Sequence, residues 1–367
     1  MRPLRVVIAG GGTGGHLYPG IAVARELLRR MPDATVTFAG TARGIESRVV
    51  PREGFALDPL RSAGLKGTSA AARVRGFGLL PLSGMDAWRI LSRRRPDIVL
   101  GVGGYSSGPV VAAAALRGIP TMLLEQNAVP GLTNRLLARV VTAAAVTFES
   151  TVSFFGRRAF VAGNPIRQEF LTAPSGDHDP HGAPASGAPR VLIFGGSQGA
   201  HAINMAMVEA APRMADGRVA ITHQTGERDV ETVRDAYRKA GVDARVEPFL
   251  YEMDREMRAA DLVICRAGAT TIAELTAAGK PAVLIPLPTA ADDHQRKNAE
   301  VLAGAGAADM IEQKDLTGTA IADRITALVS DTGRRERMAA AARGFARPDA
   351  ARVIVDRVLE LAVRGRR

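Results

Sequence analysis

The chain has 367 residues, of which 46% are hydrophobic, 4% aromatic and 23% charged, enough apolar material for two cores rather than one. Its single cysteine, Cys265, forms no intrachain disulfide, and neither an apolar run of about 18 residues nor a signal-peptide pattern occurs, so a cytoplasmic chain that does not span a membrane is expected. The net charge of +11 lies in one half: residues 1–165 hold 21 Lys and Arg against 9 Asp and Glu, residues 166–367 hold 27 against 28, and the basic half calls for an anionic surface partner, nucleic acid or acidic lipid.

The first half alternates strand and helix. "LRVVIAG" (4–10) reads as a buried strand, and Ile21, Ala24, Leu28 and Met31 recur at helical spacing. Further strand-like runs follow at "ATVTFAG" (34–40), "DIVLGVG" (97–103), "TMLLEQN" (121–127) and "AAVTF" (144–148), the pattern of a parallel α/β domain. "PSGDHDPHGAPASGAP" (174–189) has nothing to bury and reads as a linker; its His178 and His181 carry no metal motif. At residue 190 the grammar restarts with "RVLIFGGSQGAHAINMAM", where Ile203, Met207 and Ala210 share a helical face. "VAITHQTG", "ARVEPFL", "DLVICRAG" and "PAVLIPLP" supply more strands. The expected architecture is two doubly wound parallel-sheet (Rossmann-like) domains, 1–163 and 190–345, joined by a linker at 164–189. An amphipathic helix within 346–367, carrying Val353, Val355, Val358, Leu359 and Ala362, is expected to pack back on the first domain.

Two glycine turns each follow a strand and open a helix, Gly10-x-Gly12-x-x-Gly15 and Gly195–Gly199. A helix N-terminus offers unpaired N–H groups and partial positive charge, and glycine lets a phosphate approach, so each turn is a candidate diphosphate site. Ligands of open parallel sheets sit at the strands' carboxyl ends, so both turns are expected on one interdomain cleft, where two phosphorylated substrates meet. A nicotinamide cofactor is disfavoured: the second strand ends Ala39-Gly40-Thr41, with no carboxylate to grip a ribose.

With "GGTGGHLYPGIAVA", "EQNAVPGLTNRLLA", "GNPIR", "GGSQGA", "CRAGATTIAEL" and "DDHQRKNA" in this order between about residues 4 and 345, the chain resembles the MurG family of bacterial glycosyltransferases. The resemblance implies a GT-B fold, with UDP-N-acetylglucosamine held mainly by the second domain. It also implies inverting transfer of the sugar to a lipid-linked muramyl pentapeptide (lipid I), giving lipid II for peptidoglycan, with no tightly bound cofactor.

On the donor side, a carboxylate at Glu274 suits the paired hydroxyls of a ribose, while Thr271-x-x-Glu274 equally fits a helix capping box. The resemblance favours the ribose and places Ala269 and Thr270 beside it. Ser197 in the second glycine turn suits a diphosphate, or is an ordinary solvated turn residue. Arg167 offers a planar fork for phosphate. By resemblance Leu250 meets uracil through its backbone, Gln295 meets sugar hydroxyls and Asn127 meets the donor sugar. Thr13, Gly14 and Gly15 suit a pyrophosphate or the incoming sugar. "GVGGYSSGP" (101–109), with Gly103, Gly104 and Tyr105, is either an acceptor diphosphate cradle or a plain strand-to-helix connection. No D-x-D spacing suggests a metal, and Asp292-Asp293 reads as a solvated pair. Inversion needs a general base: His16 is the candidate, with a structural role for it equally open, and Glu125 competes.

Between residues 61 and 95 eight basic residues face one acid, Asp86, around Phe77, Leu79, Leu80, Leu82 and Trp88, the chain's one tryptophan. Trp in the headgroup zone and bases near anionic lipid make Arg73, Arg75, Phe77, Leu79, Leu80, Trp88 and Arg89 a candidate membrane patch. Peripheral attachment to the cytoplasmic face of the membrane is expected, and nucleic acid is not, because aromatics are few and no nucleic-acid motif occurs. A sugar-nucleotide epimerase of the same fold, or a UDP-sugar-binding protein without turnover, are the alternatives.

Overall fold

The computed structural model describes residues 2–62, 70–171, 187–196, 199–215 and 217–365, with the backbone alone for 70–77. The chain divides into two compact units, one of Met1–Gln168 with Arg347–Arg367 and one of Glu169–Ala346. The first unit contains, in order, β1 (Arg5–Ala9), α1 (Gly14–Arg30), β2 (Thr35–Gly40), α2 (Glu46–Arg52), β3 (Ala56–Pro59), α3 (Ala70–Arg94), β4 (Ile98–Gly101), α4 (Ser107–Leu116), β5 (Thr121–Glu125), α5 (Leu132–Leu137), β6 (Ala143–Val146), α6 (Val152–Phe155) and β7 (Ala159–Val161). Its strands are all parallel, in the order β3-β2-β1-β4-β5-β6-β7.

The central strands are continuous apolar runs because both faces of the sheet are covered. On one face Val6, Ile8, Phe38, Leu100 and Leu124 pack with Leu17, Ile21, Ala24 and Leu27 of α1; on the other, Val7, Ala9, Val99 and Leu123 pack with Leu91 of α3 and Val110, Val111 and Ala114 of α4. The period of two within each strand thus serves two cores at once.

The second unit contains β8 (Arg190–Phe194), α7 (His201–Ala210), β9 (Ala220–Gln224), α8 (Val230–Ala240), β10 (Ala244–Glu247), α9 (Met253–Ala259), β11 (Leu262–Cys265), α10 (Ala269–Ala278), β12 (Ala282–Leu284), α11 (His294–Gly304), β13 (Asp309–Met310), α12 (Gly318–Ser330) and α13 (Thr332–Gly344). Its parallel sheet runs β10-β9-β8-β11-β12-β13. In each unit the first strand pairs with the second on one side and the fourth on the other, so the crevice at which chain direction reverses lies between β1 and β4 and between β8 and β11.

Strands β3, β7 and β13 have no counterpart among the strands expected from sequence. All three are short sheet edges with one paired neighbour: β3 ends in Asp58-Pro59, β7 is three apolar, half-buried residues, and β13 is two residues.

The final helix, α14 (Ala350–Gly365), packs on α1 and β4 of the first unit. Ile354, Val355, Val358, Leu361 and Ala362 join the core, and Arg30 of α1 pairs with Asp356 at 2.7 Å. Gly163, at φ +85°, makes room for the returning chain: a Cβ there would lie 2.3 Å from the Cβ of Arg347. Ile354 is fully buried. Truncating it, Ile354→Ala, is expected to lower the unfolding free energy by about 2–5 kcal/mol, read from urea-induced unfolding; a loss below about 1 kcal/mol would show that the helix is only loosely docked.

Candidate active site

The loops after β1 and β4 interlock at the first crevice. Gly10, Gly11 and Gly12 have φ of 150°, 149° and 86°, and Gly103 and Gly104 have 98° and 77°. A Cβ on Gly104 would lie 2.4 Å from the Gly11 carbonyl oxygen, and one on Gly10 2.5 Å from Val102 Cγ2, so neither position admits a side chain. Tyr105 borders Gly12, and His16 lies with its ring against Gly103, where a Cβ would meet Cδ2 at 2.6 Å and Nε2 at 3.0 Å. The His16 Nδ1 is 3.2 Å from Thr13 Oγ1. Thr13 is the N-cap of α1 but its side chain does not cap the helix, so the backbone N–H groups of Gly14 and Gly15 open the helix without a side-chain acceptor. By contrast Thr317 and Asp331 do cap α12 and α13. The structure therefore brings Thr13, Gly14, Gly15, His16, Gly103, Gly104 and Tyr105 together.

Beneath the first loop lies a residue that sequence reading passed over. Glu46, fully buried at the start of α2, accepts hydrogen bonds from Gly12 N at 2.9 Å, Thr41 N at 2.9 Å and Thr41 Oγ1 at 2.7 Å. Its side chain fills space that a Cβ on Gly11, Gly40 or Gly44 would occupy. Burial pushes its pKa upward, but the hydrogen bonds from Gly12 and Thr41 outweigh it and hold the group below the ordinary carboxylate value. The only local signal was an acid at the start of a short helix; its partners are 34 and 5 positions away.

Glu125, 2% exposed at the end of β5, is enclosed by donors: Asn127 N at 3.0 Å, Gly131 N at 3.1 Å, Asn134 Nδ2 at 2.8 Å and Asn127 Nδ2 at 3.4 Å. Here burial prevails over those hydrogen bonds and the pKa is raised. The carboxylate thus ties the 127–131 turn, Asn127 included, to α5. Arg167 follows β7 and is half-buried.

In the second unit Gly195 and Gly199 flank the turn after β8, and Ser197 between them lies outside the described residues. Gly199 abuts Thr225, whose carbonyl oxygen would be 1.8 Å from an added Cβ. Helix α10 starts at Ala269 with Gly268 as N-cap, so Thr271 is inside the helix and the Thr271–Glu274 capping box is excluded. Glu274 is 5% exposed, Ala269 is buried and Thr270 half-buried, with the Thr270 hydroxyl lacking a hydrogen-bond partner among the described residues. Gln295 accepts the Leu287 N–H at 3.0 Å, and Leu250 is buried between exposed Phe249 and Tyr251, whose rings meet edge to face at 5.0 Å. Asp293 pairs with Arg296. Arg266, buried before α10, was also missed: it donates to the Ile285 and Pro286 carbonyls and to Gln313, cross-linking the end of β11 to the segment beyond β12.

Residues 6–146 match the glycosyltransferase family 28 N-terminal domain and residues 190–354 the family 28 C-terminal domain. The chain belongs to glycosyltransferase family 28. It is 50% identical, over 98% of its length and 94% of the relative, to the UDP-N-acetylglucosamine–N-acetylmuramyl-(pentapeptide) pyrophosphoryl-undecaprenol N-acetylglucosamine transferase of Anaeromyxobacter sp. (strain K). It is 49% identical to the protein of the same name from Pelobacter propionicus, over 97% and 99% of the two chains. The crystal structure of Acinetobacter baumannii MurG superposes with a TM-score of 0.81 at 32% identity, covering 98% of this chain and all of that one. A UDP-GlcNAc 2-epimerase from Neisseria meningitidis matches at TM-score 0.65 and 15% identity over 98% and 100%, a likeness of fold alone.

Away from the family 28 glycine loops, α3 exposes Leu80 (43%), Met85 (48%) and Trp88 (51%) beside exposed Arg89, with the Arg117 guanidinium 4.9 Å from the Trp88 ring centre. Leu79 is half-buried, and the side chains of Arg73, Arg75 and Phe77 lie outside the described residues. No described helix is long and apolar enough to cross a membrane.

Because Glu46 has a lowered folded pKa, its stabilisation is present above about pH 4.5 and is lost as pH falls through the folded value. Glu46→Gln is expected to reduce stability at pH 7 by about 1–3 kcal/mol, with the gap to wild type narrowing below about pH 4.5 in denaturant titrations at several pH values. A gap that is constant from pH 7 to pH 3 would refute a charged, hydrogen-bonded Glu46.

Proposed function

We propose that this chain transfers N-acetylglucosamine from UDP-N-acetylglucosamine to the muramyl sugar of undecaprenyl-pyrophosphoryl-MurNAc-pentapeptide, giving lipid II for peptidoglycan synthesis. The observation that carries the reading is the identity of 49–50%, over 97–98% of this chain, with relatives named for that transfer. The reaction takes the UDP-sugar as a substrate and needs no tightly bound cofactor.

The second unit takes the donor. Glu274 accepts hydrogen bonds from the ribose hydroxyls, Leu250 meets the uracil through its backbone, and the turn holding Ser197 meets the diphosphate at the N-terminus of α7. Ala269 and Thr270 present the uncapped N-terminus of α10. Gln295, whose Oε1 is already engaged by Leu287, offers amide N–H groups to the sugar. Asn127 contacts the transferred sugar, and Arg167 balances the charge on the departing UDP. The first unit takes the acceptor: Gly103, Gly104 and Tyr105 cradle its pyrophosphate, and Thr13, Gly14 and Gly15 meet the incoming sugar phosphate.

In the transfer, a muramyl hydroxyl oxygen forms the new bond to the anomeric carbon as the bond from that carbon to the UDP oxygen breaks, the electron pair leaving with UDP and the configuration inverting. His16 takes the hydroxyl proton. Nδ1 lies 3.2 Å from Thr13 Oγ1, and in the tautomer whose Nδ1–H donates to that oxygen the lone pair is on Nε2. Around Trp88 and Leu80 the first unit docks on the anionic cytoplasmic face of the membrane, each base near the surface adding about 1 kcal/mol.

Transfer of labelled N-acetylglucosamine to a short-chain acceptor analogue tests the reading. His16→Ala is expected to lower kcat by about 10²–10⁴ with donor KM little changed, and Glu274→Ala to raise donor KM by about 10–100-fold. Wild-type protein that binds the donor yet transfers nothing would sink the assignment. For the membrane face, co-sedimentation with vesicles is expected to require anionic lipid, to weaken with salt, and to fall several-fold in Trp88→Ala; equal binding to neutral vesicles would count against it.

A further inference from the structure

At the carboxyl end of β9, Gln224 is 2% exposed, and its side-chain amide joins two loops that its neighbours in sequence do not belong to. Nε2 donates to the Gly196 carbonyl at 3.0 Å, in the turn after β8, and to the Pro248 carbonyl at 3.3 Å, in the turn after β10. Thr225 and Gly226 secure the same place. Thr225 N donates to Glu247 O at 3.0 Å, Gly226 N to Pro248 O at 3.1 Å, and Asn204 Nδ2 to Thr225 O at 2.9 Å. Gly196 has φ +99°, and among the described residues a Cβ there would meet nothing within 4 Å. The Gly196 carbonyl also accepts from Gly199 N at 2.9 Å within its own turn; the bond from Gln224 is the one that ties that carbonyl to β9 and, through Pro248, to the turn after β10.

We infer that Gln224 is a positioning residue for the donor, holding the diphosphate turn at a set distance from the turn that receives the base. The inference rests on the donor site described under Proposed function, where the Gly195–Gly199 turn takes the diphosphate and Leu250 the uracil. Gln224 touches neither part of the ligand. It contributes only when one ligand engages both turns at once, because a rigid spacing lets the second contact form without further loss of chain freedom. A fragment that fills one turn gains nothing from it.

The test compares ligands of two lengths on full-length protein. Gln224→Met keeps the volume and removes both donated bonds; Gln224→Asn, one methylene shorter, is a second variant that reaches at most one carbonyl. Dissociation constants for UDP and for uridine are measured by calorimetric competition, with thermal unfolding of each variant alongside. The expected result is about tenfold weaker UDP binding in Gln224→Met, a smaller loss in Gln224→Asn, and uridine binding within twofold of wild type, as two lost neutral hydrogen bonds allow. Equal weakening of UDP and uridine would overturn the inference by making Gln224 a general structural residue, as would unchanged UDP binding. Wild-type protein that binds no UDP at all would instead refute the donor site itself.

Discussion

The architecture of this enzyme depends on how closely two backbone segments approach at the switch point of the first sheet. The carbonyl of Gly11 lies where a Cβ of Gly104 would be, and the side chain of Val102 and the carbonyl of Gly103 lie where a Cβ of Gly10 would be. Glycine at these positions is therefore demanded by contact as well as by φ. Because the two loops touch through backbone, the N-terminus of α1, the ring of His16 and the edge of Tyr105 are gathered on one surface without intervening side chains. The second unit repeats the device with Gly199 pressed on Thr225.

Two buried carboxylates stabilise these turns in opposite electrostatic regimes. Glu46 receives three short hydrogen bonds, two of them from backbone N–H groups, and these outweigh the cost of burying charge, so its proton affinity drops. Glu125 receives four, yet the desolvation at the end of a central strand prevails and its proton affinity rises. The first arrangement also bears on ligand choice. The glycine spacing resembles a dinucleotide fingerprint, but Gly12 N–H is committed to the protein's own carboxylate, and β2 ends at Gly40 with no acid placed for a ribose.

How much of this is legible in the sequence depends on the range of the forces involved. Strands β1, β2, β4, β5 and β6 stand out because burial on both faces writes an uninterrupted apolar run, whereas at the sheet edges β3 has four residues ending in Asp58-Pro59 and β7 and β13 only three and two, too short to register. The glycine turns are visible because a positive φ leaves a residue-type signature. Glu46, Gln224 and Arg266 are invisible to local reading, since each bonds a group far along the chain, Gly12, Gly196 and Ile285 respectively, 34, 28 and 19 residues away. Thr271-x-x-Glu274 shows the converse hazard: it has the spacing of a capping box, but the helix begins at Ala269, so the motif falls inside it and caps nothing.

The same long-range contacts give the two candidate bases different surroundings. A general base must present a lone pair to the acceptor hydroxyl, and each oxygen of Glu125 already accepts N–H groups whose release would free the 127–131 turn. Its raised proton affinity, taken alone, would suggest the opposite assignment, since catalytic carboxylates are tuned upward by burial. Geometry takes precedence: a carboxylate enclosed by four donors is an anchor, and its elevated pKa records the cost of burying it. His16 has its Nδ1 beside Thr13 Oγ1 and its ring along the Gly103 backbone, at the N-terminus of α1, where Thr13 makes no side-chain cap bond. The imidazole is thus oriented by one contact, with Thr13, and held along the second glycine loop by another, so its ring is placed by neighbours on two different loops.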